Sequence, residues 1–113
     1  MNILGTHHVA VICSDYERSK WFYTAVLGKL DLRLPDGTQV ELFSFPDPPK
    51  RPSYPEACGL RHLAFRVPDV AAAAAELGAA GVAVEPVRVD EYTGKRFTFF
   101  ADPDGLPLEL YEE

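Results

Sequence analysis

The sequence predicts an α+β fold of two tandem β-α-β-β-β-type modules, the first short by one strand, forming a curved mixed sheet. The segment His7-His8-Val9-Ala10-Val11 is echoed by Arg61-His62-Leu63-Ala64-Phe65, and Asp15 is matched by Asp69, at an offset of 54. The segment Asp36-Gly37-Thr38-Gln39-Val40-Glu41-Leu42 is echoed by Asp104-Gly105-Leu106-Pro107-Leu108-Glu109-Leu110, each after a proline, at an offset of 68. Both echoes keep their order along the chain, and both carry an ionisable residue into an apolar alternating run, as an internal duplication would.

The elements follow in order. His8 to Ile12 is apolar and β-branched, which suits a strand. Ser14 with Glu17 three residues on reads as a capping box, and Trp21, Phe22, Ala25 and Val26 recur at helical spacing until Gly28. The second module repeats this with Asp69 as N-cap, an alanine-rich helix from Ala71, and Gly81 as its C-terminal stop. Val82 to Val89 and Arg96 to Phe100 then read as strands, followed by the Asp-Pro-Asp-Gly turn at 102 to 105 and a last strand from Leu106 to Tyr111.

The second offset exceeds the first by 14 residues, so the first module lacks a counterpart of residues 82 to 95. The shortfall falls between the first helix and the run from Lys29 to Leu34. The chain then reads as one domain, 1–113, of two modules, 1–45 and 60–113, joined by a proline-rich linker, 46–59, expected to be stiff and extended.

Composition narrows the function classes. With 113 residues, 47% hydrophobic and 25% charged, the chain has the make-up of a folded globular domain. A chain of this size buries roughly 65% of the surface its unfolded form exposes, enough for a core without staples. Seventeen acidic against eleven basic residues give a net charge of −6, and the basic residues are scattered, which argues against a nucleic-acid partner. No apolar run reaches the ~20 residues of a membrane span and no signal peptide is legible at the N-terminus, so a cytoplasmic location is expected. The two cysteines, Cys13 and Cys58, form no C-x-x-C motif and read as a buried residue or free thiols.

Side chains alternate across a strand, so faces can be counted. His8 shares a face with Ala10 and Ile12; Glu41 shares one with Phe43 and Phe45; His62 lies with Ala64 and Arg66; Glu109 lies with Pro107 and Tyr111. The leucines and valines between them form an apolar back for the helices. A single His or Glu on a strand is most often a surface or satisfied core group. Two of each at repeat-equivalent positions are different: converging about a pseudo-twofold axis, they offer nitrogen and carboxylate donors to one divalent transition metal, with zinc and nickel ahead of manganese, cobalt and iron. Without a metal or ion pairs, such a cluster would bear a large desolvation cost.

Other residues carry weaker signals. His7 faces away from His8 and reads as structural or exposed. Arg66 could hold a substrate carboxylate, and Lys95 and Arg96 could meet an acidic ligand, but a solvated or ion-paired role is the simpler reading for each. Phe43, Phe45 and Tyr111 could line a pocket or pack a core. There is no nucleophile elbow and no phosphate-binding glycine loop.

Paired modules with His on each first strand and Glu on each last resemble the vicinal oxygen chelate superfamily, and the order His, Glu, His, Glu is similar to glyoxalase I. The stretches Glu41-Leu-Phe-Ser-Phe-Pro46, Glu56-Ala-Cys-Gly-Leu-Arg-His-Leu-Ala-Phe65 and Lys95 to Tyr111 look like small bacterial glyoxalase-like proteins often labelled lactoylglutathione lyase. The resemblance covers nearly the whole chain. It implies His8, Glu41, His62 and Glu109 as metal ligands, with Glu109 rather than Glu41 as the proton-transfer base. It further implies a small-molecule substrate, the hemithioacetal of methylglyoxal and glutathione, isomerised through an enediolate, and a homodimer. Ring-cleaving dioxygenases, epimerases and non-catalytic binding modules of the same superfamily are the alternatives. The missing strand is an outer one in the family, so the departure bears on the pocket wall and dimer contacts more than on the ligand strands.

Overall fold

The computed structural model describes residues 1–28 and 32–113, and the chain divides into two compact units, Met1–Pro49 and Lys50–Glu113. Each is an α+β unit with its own sheet. Among the described residues no helix is long and apolar enough to cross a membrane.

In the first unit, β1 (His8–Cys13) pairs in parallel with β2 (Gln39–Ser44), Ala10 opposite Glu41. Between them lies α1 (Tyr16–Trp21), continued by a π-helical turn over Phe22–Val26. The helix is capped by Asp15, not Ser14: the Asp15 backbone is extended and its carboxylate accepts from the Arg18 N–H at 3.1 Å. A carboxylate is also the better partner for a helix N-terminus, and the repeat had already paired Asp15 with Asp69. Gly28 follows with φ +69, the left-handed conformation that ends helices. Much of the strand run expected over Lys29 to Leu34 lies outside the described residues.

In the second unit, β3 (Leu63–Val67) runs parallel to β6 (Pro107–Glu112). β5 (Arg96–Ala101) is antiparallel to β6, and β4 (Arg88–Val89) is antiparallel to β5, giving the order β3-β6-β5-β4. Helix α2 (Val70–Ala79) is capped by Asp69, whose carboxylate accepts from the Ala72 N–H at 3.0 Å. It ends in a Schellman motif, with Val82 N–H donating to the Leu77 carbonyl and Gly81 N–H to that of Gly78. Gly81 has φ +85 and stands just past Ala80, the capping residue.

The strand expected over Val82 to Val89 is only two residues long. Pro86 has no N–H to give a ladder, and the chain before β4 is held instead by Glu85 N–H to the Phe99 carbonyl at 2.9 Å and by the Thr98 hydroxyl to the Glu85 carbonyl at 2.7 Å. The proline-rich linker is likewise not an extended rod. It turns over residues 53–56, and Arg51 ties it down by donating to the Leu60 and Arg61 carbonyls at 2.8 and 2.9 Å.

The strand register and the turns of the two units repeat at the two sequence offsets. Ala10 faces Glu41 as Ala64 faces Glu109, at the two offsets found in the sequence. The bridge of Arg33 to Gln39 matches the pairing of Ala101 with Pro107. The turn bonds Leu34 N–H to Thr38 O and Gly37 N–H to Leu34 O match Asp102 N–H to Leu106 O and Gly105 N–H to Asp102 O. Gly37 and Gly105 both have positive φ, 90 and 84 degrees, at equivalent turn positions.

Burial follows the counted faces. Val11, Cys13 and Val40 are buried behind the first sheet, while Ala10, Ile12, Phe43 and Phe45 are exposed in front. Behind the second sheet Leu106, Leu108, Leu110 and Phe100 are buried with Val70 and Leu77 of α2. Each such side chain contributes on the order of 1.5–3 kcal/mol by leaving water. The buried helix residues thus pack behind the sheets, on the side away from the His-Glu pairs.

Candidate functional site

Each unit brings one imidazole to one carboxylate. In the second unit, His62 immediately precedes β3, and Glu109 sits centrally on β6 with Ala64 on one side and Phe99 on the other. Ala64, two residues after His62, faces Glu109, and His62 Nε2 lies 3.0 Å from Glu109 Oε2. The pair is sheltered, with side chains 27% and 13% exposed. Phe99 closes one wall, its ring meeting the imidazole edge-on at 5.1 Å between centres.

The first unit has the same pairing in a looser form. His8 Nε2 is 3.9 Å from Glu41 Oε2, and both side chains are 40% exposed or more. At the offset of 68 the counterpart of Phe99 is Asp31, which lies outside the described residues. His7, read from sequence as structural or exposed, is exposed, with its Nδ1 3.0 Å from that of His8.

The donor sets suit a divalent cation. Two donors each about 2.1 Å from one ion at a right angle are about 3 Å apart, the spacing of His62 and Glu109. Within neither unit does a third His, Cys, Asp or Glu side chain join the pair, among the described residues. Arg61 works against a cation here. Its Nη1 lies 3.3 Å from His62 Nδ1, and since a guanidinium only donates, Nδ1 accepts and the imidazole hydrogen sits on Nε2, directed at Glu109. Loading a cation at Nε2 therefore means moving that hydrogen to Nδ1, which ends the contact with Arg61.

The remaining expected residues sort cleanly. Arg66 is exposed on the His62 face and Lys95 is exposed in the turn before β5. Arg96 is structural: its guanidinium reaches Glu112 at 2.7 Å and Asp69 at 3.5 Å. The Glu112 hydrogen bond, then its charge, raise the Arg96 pKa, and the same bond, first among its causes, holds Glu112 below the usual carboxylate range. Phe43 and Phe45 stack on each other at 6.4 Å on the exposed face, so they form no core. Tyr111 stacks on Phe97, and its hydroxyl meets Thr93 and donates to Asp90 at 2.8 Å. Thr93 pulls the phenol pKa down, but the Asp90 bond, burial and neighbouring carboxylate charge outweigh it, and the net shift is upward. Asp90 is lowered, chiefly by the Tyr92 N–H and then by the Tyr111 hydroxyl. Cys13 is buried, its thiol donating to the Phe43 carbonyl at 3.3 Å, and Cys58 is exposed.

Sequence reasoning missed Arg61, Arg88 and Phe99. The signal for Phe99 was available, because Phe97 and Phe99 alternate onto the Glu109 face. Arg88 needed the β4 register, which the short strand hides.

Residues 5–110 match the family model described as glyoxalase/bleomycin resistance protein/dioxygenase superfamily. The uncharacterised protein YaeR of Escherichia coli (strain K12) is 56% identical, with 100% of this chain and 99% of that protein covered. That alignment runs over 128 positions, more than the 113 residues here, so it includes positions that this chain lacks. The 2-epi-5-epi-valiolone epimerase of an Actinomyces species is 33% identical, over 95% of this chain and 78% of that one. The solved structure of a glyoxalase family protein from Enterococcus faecalis superposes with a TM-score of 0.86 at 44% identity, covering 99% of this chain and 100% of its own.

Proposed function

The chain belongs to the glyoxalase/bleomycin resistance protein/dioxygenase superfamily, and from that premise we propose that it is a metal-dependent lyase of the glyoxalase I type. Its reaction converts the hemithioacetal of methylglyoxal and a thiol, glutathione in the first instance, into a 2-hydroxyacyl thioester. The observation that carries this reading is the shared register: a His two residues before an Ala that faces a Glu, once in each unit. A duplicated scaffold has no structural need to repeat an imidazole and a carboxylate on its open face.

His8, Glu41, His62 and Glu109 would hold the metal. The metal, when bound, supplies Lewis-acid polarisation of two adjacent substrate oxygens. The chain's own part is proton transfer. Glu109, sheltered and beside His62, takes the proton from the carbon bearing the thiol sulfur and returns it to the neighbouring carbon. Glu41 is the second choice because it is more open to water. Phe99 screens the His62–Glu109 side from solvent, which favours return of the same proton over exchange.

Proton abstraction beside a carbonyl also serves an epimerase, and the 33% identity to 2-epi-5-epi-valiolone epimerase favours that as the second reading. The test is elemental analysis of protein purified without an affinity tag, followed by a hemithioacetal isomerase assay. A divalent metal and thioester formation are expected. A metalated protein that leaves the hemithioacetal unchanged would reject glyoxalase I activity and move the epimerase forward. A homodimer is expected by light scattering at micromolar concentration, because the Phe43–Phe45 face of the first unit is exposed and offers apolar surface to a second chain.

A further inference from the structure

On the sheet face that carries Glu109, cross-strand pairing sets Arg88 opposite Phe97 and Phe97 opposite Tyr111, with Phe99 opposite Glu109 two residues along. The Arg88 guanidinium stands over both rings, its carbon 5.0 Å from the centre of Phe97 and 5.8 Å from that of Phe99. Phe99 in turn meets His62. One aromatic ring therefore joins a guanidinium to the His62–Glu109 pair.

Beside it, within the second unit, opens a cleft of about 560 Å³ whose lining includes Arg61, Arg88, Phe99, Ala101 and Pro107. That volume is in the range of small-molecule sites. The lining holds a flat ring and small aliphatic groups, the two arginines, and the carboxylates of Glu56 and Glu85 that pair with them.

The two arginines have donors to spare. Arg88 gives Nη2 to Glu85 at 3.1 Å, and Arg61 gives Nε to Glu56 at 3.1 Å. A guanidinium carries five N–H groups, so most of the Arg88 fork is free among the described residues. Both ion pairs are exposed, with side chains more than half open to solvent, and pairs of that kind hold weakly. An anion accepting two parallel N–H bonds displaces them readily, and the rings under Arg88 keep the fork in place while leaving its edge free.

We propose that this cleft takes the anionic end of the substrate, a carboxylate or a phosphate gripped by Arg88 and Arg61 with Phe99 beneath it, so that the substrate class is a small organic acid or phosphate ester. The assignment rests on the reading of His62–Glu109 as the reacting centre, from which Phe99 sets the direction of the cleft. Arg88 is a specificity-determining residue in this scheme, not a proton-transfer group.

The test is an NMR titration of the full chain, stripped of metal by chelator, with benzoate, phenyl phosphate and neutral benzamide as probes. At least one anion is expected to shift the Phe99 and Ala101 amides and the Arg88 Nε–H saturably, while benzamide does not. The tighter anion distinguishes carboxylate from phosphate. Arg88→Gln should weaken binding by about tenfold or more, Arg88→Lys by less, since it keeps charge without the fork. Arg18→Gln, in the helix of the first unit, should bind as the parent does. The amide spectrum of each variant reports its folding in the same measurement. Equal binding of benzamide, undiminished binding by Arg88→Gln, or no saturable shift with either anion overturns the proposal. No metal or turnover enters the measurement, so a missing isomerase activity leaves this result intact, and a failed titration leaves the isomerase reading intact.

Discussion

His62 Nε2 stands 3.0 Å from Glu109 Oε2 on a sheet whose other face is packed with leucines, and this contact follows from register alone. Ala64 faces Glu109, alternation returns His62 to the same side, and no other side chain separates them. His8 and Glu41 share the register but stand 3.9 Å apart and more exposed, so the second unit is the better formed half of the proposed metal site.

His62→Ala is therefore expected to remove most of the bound metal, while His8→Ala removes less. Inductively coupled plasma mass spectrometry on both variants, each shown by circular dichroism to be folded, checks this. Unchanged metal content in His62→Ala would refute the ligand assignment.

Leu108 is fully buried behind the same sheet, one residue before Glu109. Leu108→Ala should cost about 2–5 kcal/mol by lost transfer energy and the cavity left behind. A urea melt should show an earlier midpoint with little change in slope. Because a displaced β6 carries Glu109 with it, metal affinity should fall in the same variant.

The pH dependence of stability has an identifiable contributor in Glu112. Its hydrogen bond from Arg96, with the charge of Arg96 behind it, holds its pKa below the ordinary glutamate value of 4.5. A carboxylate lowered in the folded state stabilises fully above its unfolded value, and that stability is lost as pH falls through the folded one. The urea midpoint of Glu112→Gln should thus lie below that of the parent at neutral pH, and the gap should close as the pH is taken below 4.5. The Arg96 side chain is 40% exposed and that of Glu112 is 21%, so salt should narrow the gap in part. A gap that persists unchanged into acid would assign the effect to packing instead.

The duplication, the faces and both His-Glu pairs were legible in the sequence because they rest on period-2 alternation and on two constant offsets. Helix caps were legible to within one residue, and the miss at Ser14 arose because two adjacent residues both carry capping oxygens. What local pattern could not reach were contacts made by register between strands distant in sequence, such as Arg88 over Phe97 and Phe99. Arg61 beside His62 was hidden for another reason: neighbours on an extended chain normally point apart, and only the folded linker, held by Arg51 and Glu56, places that guanidinium against the imidazole. The proline content of the linker suggested reach where the actual arrangement is a tied loop.

Glu109 is expected to be the proton-transfer base, with Glu41 serving mainly as a ligand. Enediolate chemistry needs a carboxylate within reach of the substrate carbon, and only these two glutamates share the His-bearing faces. Glu109 is the more sheltered, at 13% against 40% side-chain exposure, and stands beside the ring that screens the site from water. Glu109→Gln keeps an oxygen donor and the shape of the side chain but removes nearly all basicity, so turnover should fall by about two to four orders of magnitude while some metal remains. Glu41→Gln should retain more activity once metal occupancy is matched. Rates of hemithioacetal isomerisation, normalised to bound metal, separate the two roles. If metalated Glu109→Gln turned over near the parent rate while Glu41→Gln was inactive, the base would be Glu41. If both stayed active, neither glutamate would be the base, and a group outside the His-Glu faces would have to move the proton.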